Sequence, residues 1–179
     1  MDFTTELNSI KKEKKLVEIY TDKNNPDSFC FGFIIGFDSD FIFINAVSCH
    51  GETDGLAIRR LKDIYRVEYD GDYEKRLAKL FNLKKQAFDC YPVLNDLNTL
   101  LKTVIEDKVI LTITTGDFEN HIVVAGIIEK VVNNKIYFRE IKNDCQSGIA
   151  VFATEDIYDI NCFSKDEKDI QLLYEYKQK

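Results

Sequence analysis

Tryptophan is absent from this 179-residue chain, and proline (2) and glycine (8) are scarce. That excludes collagenous and linker-rich classes and leaves little from which to build a glycine loop around a phosphate. The five cysteines, Cys30, Cys49, Cys90, Cys145 and Cys162, are odd in number and form no CxxC pair. A disulfide framework is therefore not expected, and reduced, mostly buried thiols are. No stretch approaches the ~20 apolar residues of a membrane helix. The longest uncharged apolar run, residues 29–37, is short and contains Gly32 and Gly36. The opening MDFTTELNSIKKEKK places basic residues after apolar ones, the reverse of a secretory signal. Excess positive charge is lacking as well: 24 Lys and Arg face 31 Asp and Glu, a formal charge of −7. This argues against a broad phosphate-binding face, so DNA is not an expected partner, and leaves only a small basic patch as a surface for RNA. These absences, with a preference for Lys, Asn, Ile, Phe and Tyr, give the expectation of a bacterial cytoplasmic protein with no membrane partner.

What is present is globular composition, 45% hydrophobic and 31% charged, written twice. At an offset of 94 residues Leu7 meets Leu101, Ile19 meets Ile113, Gly32 meets Gly126 and Ile42 meets Ile136. One gap between Asn45 and Gly55 changes the offset to 93, and then Gly55 meets Gly148 and Asp63-Ile64-Tyr65 meets Asp156-Ile157-Tyr158. The expected domains are residues 1–84 and 95–179, joined by a linker at 85–94.

Each copy reads in the same order. A short helix comes first, with Leu97, Leu100, Leu101, Val104 and Ile105 at helical spacing in the second copy. A strand at 16–21 or 109–115 follows, then a longer one at 29–37 or 122–131. Tight turns at Asp38-Ser39-Asp40 and Asn133-Asn134 suit left-handed backbone and lead to third strands at 41–45 and 135–139. Two short strands and a closing helix complete each copy. Five short antiparallel strands in so few residues imply a mostly β protein with helices, built as two small bent β-barrels, with Gly32 and Gly126 at the bends.

The segments Phe31-Gly32-Phe33-Ile34 with Phe41-Ile42-Phe43-Ile44, and Ala125-Gly126-Ile127-Ile128 with Ile136-Tyr137-Phe138, resemble the first motif of the Sm-like family. The resemblance implies two tandem Sm-like barrels, each with an N-terminal and a C-terminal helix. It does not extend to RNA recognition. The turn Asp38-Ser39-Asp40 is more acidic than the family's loop, and Arg59-Arg60 and Phe152-Ala153 stand where an Arg-Gly pair would be.

Candidate chemistry is sparse. Cys49-His50 lacks further ligands at zinc-site spacing. The carboxylates Asp38, Asp40, Glu52, Asp54, Asp63 and Asp156 suit turns and strand starts. No nucleotide, metalloprotease or hydrolase motif occurs, so neither catalytic residues, cofactor nor metal are expected. Two interaction surfaces remain. Lys11, Lys12, Lys14, Lys15, Arg59, Arg60, Lys62 and Arg66, with Tyr65 as a stacking face, form a candidate RNA surface confined to the first copy. Phe29, Phe31, Phe33 and Ile35 lie on one side of a strand apolar on both sides, and need cover by a helix, the other repeat or another chain. The expected function is a non-catalytic binding or assembly module acting through strand edges or between repeats. An RNA-binding regulator and a small-molecule or enzymatic cleft between repeats are the alternatives.

Overall fold

Leu7 and Ile10 sit three apart on α1 (Thr4–Glu13) and are both buried, which fixes the helix face. Glu6 lies in its first turn and Lys11 and Lys12 in its last, matching the helix dipole. Lys14 ends it in left-handed backbone at φ 53°, its N–H returning to the carbonyls of Ile10 and Lys11. The computed structural model describes residues 3–87, 96–116 and 122–178. The expected linker beyond residue 87, with Cys90, lies outside the described residues. Gln86 belongs with the first copy, because its Oε1 accepts from Thr53 N at 3.2 Å.

The chain divides into two units, Met1–Asp96 and Leu97–Lys179. After α1 the first unit has β1 (Leu16–Tyr20), β2 (Cys30–Phe37), β3 (Phe41–Val47), β4 (Thr53–Arg60), β5 (Arg66–Tyr69) and α2 (Asp72–Leu83). The second has α3 (Leu97–Glu106), β6 (Ile110–Thr115), β7 (Ile122–Val132), β8 (Lys135–Lys142), β9 (Cys145–Ala153), β10 (Ile157–Cys162) and α4 (Lys165–Lys177). The described residues are thus predominantly β.

Within the first unit the hydrogen-bonded order is β5-β1-β2-β3-β4, and within the second β10-β6-β7-β8-β9. Every pairing in these runs is antiparallel. This overturns the expectation of two closed five-stranded barrels. Closure would join β4 to β5 and β9 to β10, yet these strands stand at opposite ends of their unit's order. Each unit is an open sheet. Alternation reports which face a side chain takes; it carries no information on which strand ends meet.

The two units repeat each other in detail. Bulges fall between Ile34 and Gly36 and between Asn45 and Val47, and again 94 residues on, between Ile128 and Lys130 and between Arg139 and Ile141. Single 3₁₀ turns at Leu61–Asp63 and Thr154–Asp156 precede the last strands. Gly32 and Gly126 share a reason. A Cβ at either would come within 3.0 Å of a backbone carbonyl on the paired strand, that of Asn45 or Arg139. The bulges bend the strands; the glycines let neighbouring backbones approach. At the tight turns Asp38 Oδ1 accepts from Asp40 N at 2.8 Å and Phe41 N at 2.7 Å, while Asn133 and Asn134 take φ of 50° and 59°.

The first unit's sheet has two apolar faces. On one, Leu7 and Ile10 of α1 pack with Val17, Ile19, Ile34, Ile42 and Ile44. On the other, Leu77 and Phe81 of α2 pack with Leu16, Phe31 and Val47, and Phe33 and Tyr73 join them. In the second unit α3 packs against β7 and α4 against β6. Among the described residues no helix is long and apolar enough to cross a membrane.

Candidate functional site

The phenylalanines expected to seek a partner find one inside their own unit. Phe31 is buried and Phe33 half-buried beneath α2, with ring centroids 5.6 Å from Tyr73 and 5.3 Å from Phe81 respectively. Ile35 is half-buried. Phe29 is 38% exposed and lies against Tyr20 at 5.2 Å. A helix of the same unit therefore covers most of this face.

The second unit is less well covered. Its α4 begins with a capping box, in which Glu167 N donates to Ser164 Oγ and Ser164 N to Glu167 Oε2, but Leu172 and Leu173 stay exposed. The strand β9, sequence CQSGIAVFA, carries no charge and ends the unit's strand order. Residues 145–149 and Val151 are exposed along it. Ile149 is 49% and Val151 50% exposed, whereas Leu56 and Ile58, one repeat earlier on β4, are 1% and 0% exposed.

Most of the candidate RNA residues are engaged by partners within the first unit. Lys15 Nζ lies 2.6 Å from Asp70 and 2.8 Å from Glu13, and these contacts, Asp70 first, hold its pKa above the usual lysine range. Arg66 forms an ion pair with Glu68 and stacks 4.5 Å from the Tyr20 ring centroid. Arg60 is buried, 4.9 Å from the Phe41 ring. Arg59 Nη1 donates to the Ile58 carbonyl at 2.9 Å. Lys11 lies over Phe37 at 5.9 Å, and Tyr65 O–H donates to the Asp22 carbonyl at 3.3 Å. Lys12, Lys14 and Lys62 are exposed.

Cys49 and Cys145 are free and exposed, and burial pushes the Cys162 thiol well above the thiol range. His50 is exposed, its backbone N–H donating to Ser48 Oγ at 3.3 Å. An open groove of about 210 Å³ in the second unit is lined by Asp107, Lys108, Ile110, Phe163, Glu167 and Gln171. Of its two carboxylates, that of Glu167 is engaged in the α4 capping box.

Sequence reading passed over a different cluster. Glu18 on β1, Glu68 on β5 and Glu74 in the first turn of α2 bring a carboxylate oxygen each within 4.8 Å of one another. Glu18 and Glu74 are both 6% exposed. Glu18 and Glu68 are direct cross-strand partners. Burial first, then the Glu74 and Glu68 charges, raises the Glu18 pKa; the Tyr20 hydroxyl, which donates to Glu18, works against them. The signal was in the repeat: the same positions in the second copy are Thr112, Asn161 and Glu167, one carboxylate in place of three. No protein-family model, curated protein or solved structure matches this chain.

Proposed function

We propose that the protein is a non-catalytic assembly module whose contact surface is the strand β9. One observation carries this reading: an uncharged nine-residue strand stands last in its unit's order with Ile149 and Val151 half exposed. A strand in that position offers a row of backbone donors and acceptors and is normally blunted by charge, proline or a bulge away from the neighbour. β9 has neither charge nor proline; its one bulge lies between Gln146 and Ile149, before the Ile149–Ala153 half of the strand. The partner that suits it is a second copy of this chain, adding a strand at β9. The repeat supports this: at Leu56 and Ile58 the same apolar pattern occurs in a covered strand.

Light scattering on the full chain tests the reading. A defined multimer is expected, and Ile149→Lys with Val151→Lys, both at exposed positions, should reduce it to monomer without loss of the far-ultraviolet circular dichroism signal. A wild-type chain that stays monomeric at high concentration, or a multimer indifferent to both lysines, rejects it.

A further inference from the structure

The second unit shows what the position of Glu74 does in neutral surroundings. There Glu167 accepts from Ser164 N at 3.0 Å and from Thr112 Oγ1 at 2.9 Å, so helix capping and one side-chain bond account for its burial. In the first unit Gly71 replaces Ser164, Glu18 replaces Thr112 and Glu68 replaces Asn161. The hydroxyl that satisfied the carboxylate is gone, and two further carboxylates have come in. Glu74 is nine-tenths buried and its carboxylate forms no hydrogen bond or ion pair among the described residues, yet it points into the cluster. Gly71 makes the room: a Cβ there would fall within 3.0 Å of Glu74 Oε2.

The surrounding groups do not balance this charge. Arg66 Nε donates to Glu68 Oε1 at 2.6 Å and the Tyr20 hydroxyl donates to Glu18. One guanidinium stands against three carboxylates. Like charges directly opposed across a ladder cost stability, and a buried carboxylate without a partner costs more. A bound cation removes both costs. Oxygen-only donors select a hard divalent ion. Three oxygens within 4.8 Å of one another can close on one ion, and an irregular all-carboxylate set suits calcium, which accepts flexible geometry, better than magnesium, which demands a near-ideal octahedron.

We propose that Glu18, Glu68 and Glu74 form a calcium-type divalent-cation site that pins the first turn of α2 to β1 and β5. The test uses the full chain and Ca²⁺ alone, after treatment with chelator. Calorimetric titration should give one ion per chain, and added Ca²⁺ should raise the melting temperature. Glu18→Thr with Glu68→Asn, the residues of the second unit, should weaken binding at least tenfold and abolish the thermal shift. Glu74→Gln provides an independent variant expected to do the same, while Glu167→Gln should leave the calcium response intact. Tyrosine-sensitised Tb³⁺ luminescence, with Tyr20 beside the site, gives a second readout. A wild-type chain that neither binds Ca²⁺ nor shifts its melting temperature at millimolar Ca²⁺ overturns the proposal, as does binding unchanged in both first-unit variants. So does an acid-induced rise in stability with no response to Ca²⁺, which would mean that the cluster is satisfied by a shared proton.

Discussion

At the scale of single residues, the most informative is Glu18. Its carboxyl is buried among two others, and burial raises its pKa above the ordinary value. A carboxyl whose folded pKa lies above its unfolded one binds its proton more tightly in the native state. Stability is then lost as pH rises from the ordinary carboxylate range through the raised value, the reverse of a salt-bridged aspartate. In calcium-free buffer Glu18→Thr should therefore stabilise the protein at neutral pH by about 1 kcal/mol, the scale of a directly opposed like-charge pair. Its stability should also fall less than that of wild type between pH 4 and neutrality. Urea denaturation across that range checks both statements; a wild-type profile parallel to that of the variant would remove Glu18 as the source. With calcium bound the order should reverse, since the variant lacks a ligand.

At the scale of elements, the sheets depend on close backbone approach at Gly32 and Gly126. Gly126→Ala would drive a methyl into the Arg139 carbonyl on β8. Backbone cannot yield as a flexible side chain can, so a loss of about 3 kcal/mol is expected, at the upper end of overpacking costs. Gly148→Ala on β9 meets nothing within 4 Å and should change stability far less. Paired denaturant titrations of the two variants decide it: equal stabilities would mean that contact with the Arg139 carbonyl does not govern Gly126, since chain entropy alone favours Ala at both positions. This contrast bears on what the sequence could tell. Alternation and turn residues made the strands and their faces legible, and the pairing of Gly32 with Gly126 marked equivalent positions. The opening of each sheet was not legible, because which strand ends meet depends on long-range pairing. The residues CQSG are polar or small, a composition that suits a loop, yet they form the first half of β9. The cover over Phe31 and Phe33 was only partly legible. Tyr73, Leu77, Leu80 and Phe81 make an apolar stripe at helical spacing, but several covers could satisfy the same apolar face. A charge at Phe33 would therefore disturb the packing with Phe81 before it reported on any second chain. Glu18, Glu68 and Glu74 were missed because a lone carboxylate in a strand is unremarkable until register places two of them opposite each other.

At the scale of the whole molecule, the net charge of −7 and the pairing of basic residues bear on the choice between assembly and RNA binding. Of the candidate basic residues, Lys15 and Arg66 are held by carboxylates and Arg60 is buried against Phe41. Each phosphate contact contributes to affinity by releasing counterions, so a surface with few uncommitted cations should bind weakly and lose that binding steeply with salt. Assembly through β9 has the opposite signature, because its exposed side chains are uncharged and screening has little to act on. The expectation is a multimer that persists from low to high salt while poly-U is not retained on a filter at physiological salt. Arg59→Glu with Arg60→Glu is a poor probe of RNA binding, since burying a glutamate at 60 would destabilise the fold by itself. The exposed Lys12, Lys14 and Lys62 can be changed to glutamate together without that penalty. RNA retention at physiological salt that disappears in this triple variant, with the multimer unchanged, would assign an RNA-binding function to the first unit and leave β9 as scaffold.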